Sequence, residues 1–278
     1  MSASRLITAR TDRIAPAIRT CAIAAALCSA LTAQAALVQV TVTARNLSPV
    51  NSTSFAPLRV GFNNGSFDSF NNGQTAGAAI VSVAEGGSAS AWFPAFAAAD
   101  ANATLGTVGA VLVPGTSATQ TFIVNTTINP FFTFGAMVVP SNDLFIGNDN
   151  PQAFRLFDAA GNLVINQINQ KASQIWDAGS EVAIAANAAF IVGGNNALRV
   201  AQNGVVSFSA SELGVFNGLT TAAGYVFSNA ALAANPDIYS ISFTANAVPE
   251  PQSYAMVGLA LLALGVTGRR RGQKARAG

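Results

Sequence analysis

Histidine is absent from this sequence of 278 residues, and only two cysteines are present. Without histidine there is no imidazole general base, no Ser-His or Cys-His nucleophile pair and no imidazole metal ligand. Both cysteines, Cys21 and Cys28, lie within residues 1–35, so the remaining chain has neither a disulfide nor a thiol nucleophile. Charged residues make up only 9% of the chain, against roughly 25% in ordinary soluble domains. These absences disfavour an enzyme and favour a non-catalytic protein.

Residues 1–35 have the pattern of a secretory signal peptide. Four arginines precede an apolar run from Cys21 to Ala33, and a small-x-small triplet from Ala33 to Ala35 follows. A basic region, a short apolar region and such a triplet together predict export and cleavage after Ala35. One alternative is a lipoprotein attached through Cys28, although leucine precedes it where a small residue is needed. The other is a buried N-terminal helix, which would leave the arginines without partners.

Residues 248–278 form a second targeting segment in three parts. The motif Pro249-Glu250-Pro251 comes first, the apolar stretch Tyr254–Gly268 follows, and a cluster of arginines and a lysine ends the chain. The apolar stretch is shorter than the roughly 20 residues that cross a bilayer comfortably. The basic cluster would remain on the cytoplasmic side. This pattern predicts a short, weakly held membrane helix, and a plain single-pass tail anchor is the alternative.

In this order the three parts resemble the PEP-CTERM sorting signal of Gram-negative bacteria that secrete exopolysaccharide. The resemblance implies export across the inner membrane with transient C-terminal anchoring. It also implies that an exosortase recognises the tail and removes it near residues 249–251. The protein would then reach the cell surface or the extracellular matrix.

Residues 36–247 remain as one working domain. Residues 36–250 have five Lys or Arg and eleven Asp or Glu, which gives them a net charge of −6. The five basic residues are scattered along this stretch, so nucleic acid is not an expected partner.

Alternation of apolar and polar residues along the domain predicts β-strands. Leu37–Ala44 and Asp237–Ala245 both alternate, as half-buried strands do. Phe131–Pro140 is rich in β-branched and aromatic residues throughout, which is typical of an interior strand. The predicted fold is therefore all-β: an antiparallel β-sandwich with long loops, flanked by the signal peptide and the short membrane helix.

Three shorter segments give local predictions. Asn203-Gly204 is the dipeptide of a two-residue hairpin turn between flanking strands. Gly77–Ala101 is rich in alanine and glycine and is expected to hold a short helix. Ser209–Leu219 has a candidate serine cap before a short helical turn.

Two loops bring acidic residues together with amides and free carbonyls. The first, Pro140–Pro151, follows the most hydrophobic strand and contains Asp143. The second, Trp176–Glu181, contains Asp177. Oxygen ligands on flexible loops, six to eight in number, are what Ca²⁺ requires. The structural alternative is an Asx-turn or cap in each loop.

Motifs scattered over residues 36–246 resemble the spondin domain. The strand followed by Pro-Ser-x-Asp at 132–143 and the aromatic-Asp-Ala-Gly turn at 176–179 carry most of the resemblance. It implies a spondin-like β-sandwich that binds calcium on one face through Asp143 and Asp177. Glu181 is placed to help bind the ion, and the alternative is that it is a solvated turn residue.

The sequence departs from the spondin pattern at several points. The cysteines of the animal domain are absent, and Leu-Phe follows Asp143 where the animal domain has Trp-Phe. The family's third acidic ligand lies in the strand before the Pro-Ser-x-Asp loop, but residues 119–129 contain no carboxylate. Gln120, Asn125 or a carbonyl would have to replace it. The site would then bind calcium less tightly, because the number of charged ligands sets the affinity.

Three functions compete. The first is a secreted or cell-surface adhesion or matrix-binding module, assisted by calcium, with extracellular polysaccharide or surface proteins as partners. The second is a structural component of the exopolysaccharide or biofilm matrix without a specific ligand. The third and least favoured is a glycosidase that uses the carboxylates of Asp143 and Asp177.

Overall fold

The computed structural model describes residues 37–248. The predicted cleavage site at Ala33 and Ala35 and the sorting motif Pro249-Glu250-Pro251 lie outside the described residues. Between residues 37 and 248, no helix is both long enough and apolar enough to cross a membrane.

The described chain is built mainly from β-strands. The strands are β1 (Leu37–Asn46), β2 (Ser54–Phe55), β3 (Leu58–Asn63), β4 (Thr104–Val108), β5 (Ser117–Asn125), β6 (Phe131–Val139), β7 (Leu144–Gly147), β8 (Gln167–Lys171), β9 (Trp176–Asp177), β10 (Ser207–Phe208) and β11 (Asp237–Ala247). The α-helices are α1 (Ala78–Gly86) and α2 (Trp92–Ala99). Short 3₁₀-helices span Ala172–Gln174, Ala185–Asn187, Ser211–Phe216 and Ala230–Ala234.

The strands form two antiparallel sheets. The first has four strands in the order β5-β1-β11-β8. The second has seven: six in the order β10-β9-β7-β6-β3-β4, and β2, which pairs with β6. The prediction of an all-β, antiparallel sandwich is confirmed at this level.

The alternation in β1 and the continuous hydrophobicity of β6 follow from their places in these layers. In β1, Val38, Val40 and Val42 are buried, whereas Gln39 and Thr41 between them face outward. In β6, Phe132 and Phe134 belong to the large core cluster shared by both sheets, whereas Met137 belongs to a separate small cluster. A strand with both faces covered gains from apolar residues at every position.

Helices α1 and α2 cover part of the second face of the seven-stranded sheet. Ile80 of α1 and Trp92 and Phe96 of α2 form a core cluster with Phe145 of β7 and Trp176 of β9. The structure thus confirms a helix within residues 77–101 and divides that stretch into two helices.

The prediction of a hairpin turn at Asn203-Gly204 is wrong. The N–H of Gly204 donates to the carbonyl of Gly179 at 2.8 Å, and the strand that follows, β10, pairs with β9. Tertiary contact with the Gly179 turn thus overrides the local hairpin preference. The helical turn after Ser209 exists as the 3₁₀-helix Ser211–Phe216. Its N-cap residue is Ala210, which has no capping side chain, and the hydroxyl of Ser209 accepts the backbone N–H of Ser211 at 3.4 Å.

Candidate functional site

The two acidic loops meet beside the first residue of β7. Asp143 directly precedes Leu144, and Leu144 pairs with Asp177 of β9. The N–H of Ala178 donates to the carbonyl of Asp143 at 3.2 Å. Residues 34 positions apart in sequence are brought together because β7 and β9 are neighbours in the sheet.

Asp143 is held rigidly by one of its two carboxylate oxygens. Its Oδ2 accepts the backbone N–H groups of Ser180 at 2.7 Å and Glu181 at 2.9 Å, and also the Ser180 hydroxyl at 3.2 Å. The residue is 0% exposed, and Oδ1 is buried without a hydrogen-bond partner. An unpaired buried carboxylate oxygen is costly, so this atom needs an explanation.

Asp177 forms the turn that the structural alternative predicts. Its Oδ1 accepts the N–H of Gly179 at 2.7 Å, which makes an Asx-turn. Gly179 has a φ of +62°, and an added Cβ would lie 2.7 Å from the backbone nitrogen of Val205. Glycine is therefore required here both by the backbone conformation and by the close approach of a second chain segment.

Glu181 is the third acid that the sequence singled out, and it also points into this region. It is 1% exposed, and its Oε1 accepts the side-chain Nδ2 of Asn142 at 3.1 Å, while Oε2 is buried without a partner. Asn142 is itself fixed, because its Oδ1 accepts the N–H of Ile184 at 3.1 Å.

Glu212 belongs to the same cluster, and sequence reasoning missed it. It lies on the 3₁₀-helix Ser211–Phe216, is 9% exposed, and accepts the backbone N–H of Asn142 through Oε1 at 3.4 Å. The local sequence carries no signal for it: residues three apart share a face in a 3₁₀-helix, and the residue that shares a face with Glu212 is Val215, which is exposed. We name the four acids Asp143, Asp177, Glu181 and Glu212 the acidic cluster.

Burial raises the carboxyl pKa values throughout the acidic cluster, and repulsion between acids adds to the shift at Asp143, Glu181 and Glu212. Burial raises the pKa of Glu212 to about 8, and the charges of Asp143 and Asp177 add to the shift. Burial raises the pKa of Asp143 to about 6, against the hydrogen bond from the N–H of Glu181. The pKa values of Asp177 and Glu181 are also raised, chiefly by burial. The charged forms are thus disfavoured unless a cation compensates them.

The substitutes considered for a third ligand lie elsewhere. Gln120 and Asn125 are on β5, in the four-stranded sheet, whereas Asp143 and Asp177 flank strands of the other sheet. Next to the cluster, Glu85 forms an ion pair with Arg199. The charge of Arg199 lowers the pKa of Glu181, and that of Glu85 raises it, both less than burial does.

The donor set fits a hard cation in part. Among residues 37–248, no three Asp, Glu, His or Cys side chains are arranged so that they could hold a metal ion as they stand. The oxygens nevertheless include the buried, unpaired Oδ1 of Asp143 and Oε2 of Glu181. Such a set suits Ca²⁺, which accepts carboxylate and carbonyl oxygens in flexible geometry.

The chain matches no protein-family model and no curated protein.

Proposed function

We propose that the chain is an exported, non-catalytic adhesion or matrix-binding module whose β-sandwich is stabilised by calcium. Asp143 and Asp177 are the proposed main ligands, with Glu181 and Glu212 supplying further negative charge. Bound Ca²⁺ would supply only charge neutralisation and cross-linking of the loops. The spondin resemblance supports both the module and the pair of ligands.

The observation that carries the calcium proposal is the buried Oδ1 of Asp143, which has no hydrogen-bond partner inside a cluster of four acids. Its partner oxygen Oδ2 accepts three hydrogen bonds, so the side chain cannot turn without breaking them. A fixed, desolvated carboxylate oxygen among like charges is what a divalent cation would compensate.

The raised pKa of Glu212 would also suit the general acid of a glycosidase. A glycosidase must bring its two carboxyl groups against a sugar ring. Asp143 is 0% exposed and therefore offers a sugar no contact in this conformation. The non-catalytic role is favoured for this reason, as well as by the chemistry that the sequence lacks.

The two ends support the location in this proposal. The signal-peptide pattern up to Ala35 supports export, and the Pro249-Glu250-Pro251 tail supports sorting by an exosortase to the surface of a Gram-negative bacterium. Extracellular polysaccharide or surface proteins are the proposed partners there.

Binding to the matrix of the producing bacterium tests the module. We expect the full chain, purified in mild detergent, to bind immobilised exopolysaccharide from that bacterium with a saturable isotherm. Uptake that rises linearly without saturation would instead indicate a structural matrix component without a specific ligand. Release of reducing sugar during the incubation would indicate a glycosidase and overturn the non-catalytic role.

A further inference from the structure

The outer face of the four-stranded sheet presents a regular array of hydroxyl groups. In one row, Thr43 of β1 is paired with Thr119 of β5 and with Ser242 of β11. In the next row, Thr41 is paired with Thr121 and Thr244. Rows two residues apart along a strand are separated by roughly 6.7 Å, and neighbouring strands by about 4.8 Å. We name these six residues the hydroxyl face.

The hydroxyl face is ordered before any partner binds. The hydroxyls of Thr43 and Thr119 are 3.0 Å apart, and those of Thr41 and Thr121 are 3.3 Å apart, both at hydrogen-bond distance. Threonine has restricted χ1 freedom because it is β-branched. A partner that binds these hydroxyls therefore orders few additional side chains, and pre-organisation of this kind favours affinity.

The groups around the hydroxyl face are mostly uncharged. Gln167 of β8 extends the first row, since it pairs with Ser242. The charged side chains at this end of the sheet are Arg45 and the pair Lys171–Asp237, whose charged atoms are 3.3 Å apart. A face of hydroxyl and amide groups can both donate and accept hydrogen bonds. It therefore complements a polyhydroxylated partner better than a strongly charged or apolar one.

A groove deepens one end of this surface. It has a volume of about 510 Å³, and its polar lining includes Thr43, Arg45, Ser117, Gln167, Ser240 and Ser242. Ligand sites usually have volumes of roughly 300–1,000 Å³. The groove is thus large enough for a sugar unit, and the hydroxyl face continues from it along the sheet.

We propose that the hydroxyl face and its groove bind the polysaccharide, with a glycan chain lying across β5, β1 and β11 and one sugar unit in the groove. This inference rests on the proposed matrix-binding function and gives it a location. The hydroxyl face lies on the four-stranded sheet, whereas the acidic cluster lies beside strands of the other sheet. Glycan binding and calcium binding are therefore separable by substitution.

The test compares two double variants of the full chain on immobilised exopolysaccharide from the producing bacterium. T41V/T43V removes two hydroxyls from the centre of the face while keeping β-branched side chains of the same shape. T75V/T127V makes the same chemical change at two exposed positions outside the face. We expect T41V/T43V to weaken binding about tenfold, as for the loss of two ordinary hydrogen bonds, and T75V/T127V to bind like wild type.

Each outcome decides one point. Unchanged binding by T41V/T43V overturns the location but leaves the matrix-binding function standing, since wild type still binds. Absence of saturable binding by wild type overturns the function and the location together. If T41V/T43V does not fold, as judged by circular dichroism, S242A/T244V on β11 replaces it, and the same tenfold loss is expected.

Discussion

The backbone N–H of Asn142 donates to Oε1 of Glu212 at 3.4 Å, although the two residues are 70 positions apart. The side chain of the same asparagine donates to Glu181 at 3.1 Å. One neutral residue thus holds two acids beside Asp143, whose charge raises the pKa of both. In the absence of a cation, this arrangement costs free energy whenever the acids are ionised.

The first prediction concerns pH. The folded-state pKa values of Asp143 and Glu212 are raised to about 6 and about 8, whereas unfolded Asp and Glu titrate near 3.9 and 4.3. The folded state therefore holds protons that the unfolded state has lost, and stability falls as pH rises between these values. In EDTA, the free energy of unfolding by urea should fall from pH 4.5 to about 9 and then level off. A rise over that interval would contradict the assignment of buried, unpaired acids.

The second prediction concerns Glu212→Gln, which keeps an acceptor for Asn142 but removes the charge. In EDTA at pH 8.5, the variant should be more stable than wild type by on the order of 1–3 kcal/mol, because a buried like charge is gone. In saturating calcium its advantage should disappear, since the same charge then attracts the cation. Asp237→Asn, at an exposed ion pair on the other sheet, is the control and should change stability little in either condition. A less stable E212Q in EDTA would refute the repulsion.

The strands of the sandwich could be predicted from the sequence because the period of the hydrophobic residues reflects which faces of a strand are buried. Alternation identified β1 and β11, and unbroken hydrophobicity identified β6. The prediction of a turn at Asn203-Gly204 was wrong because turn propensity reflects only neighbouring residues. It contains no information about the backbone of Gly179, which is distant in sequence and packs against Gly204. Glu212 was missed for a similar reason: its partner Asn142 is distant in sequence, and only folding brings the two together.

The third prediction separates the two roles of Gly179. Alanine at this position faces both a positive φ and a backbone atom 2.7 Å from its Cβ. At Gly218, φ is +80° and nothing lies within 4 Å of an added Cβ. Gly218→Ala should therefore cost about 1 kcal/mol for the backbone conformation alone, and Gly179→Ala distinctly more. Equal losses of unfolding free energy in urea denaturation would contradict this prediction, because they would show that Val205 moves away from the added Cβ at little cost.

The fourth prediction concerns the ion pair between Glu85 and Arg199. The side chain of Glu85 is 8% exposed and that of Arg199 is 41% exposed. Arg199→Met leaves a buried carboxylate without its partner, whereas E85Q/R199M removes both charges. The single variant should therefore be less stable than the double variant. Urea denaturation of wild type, both single variants and the double variant forms the cycle, and a double variant less stable than R199M would contradict this explanation.

The most direct test of calcium binding is the melting temperature of the full chain at pH 8, with and without Ca²⁺, for wild type and Asp177→Asn. Asparagine keeps an oxygen for the Asx-turn with Gly179 but lacks the negative charge. The variant therefore distinguishes a role of Asp177 as a calcium ligand from a role in the turn alone. Asp149→Asn, outside the acidic cluster, is the matched control. At about 100 times the dissociation constant, calcium should stabilise wild type and D149N by ~2.7 kcal/mol, which raises the melting temperature by roughly 5–10 °C. D177N should show little or no shift. An unchanged melting temperature of wild type in calcium, or an equal shift in D177N, would contradict the account.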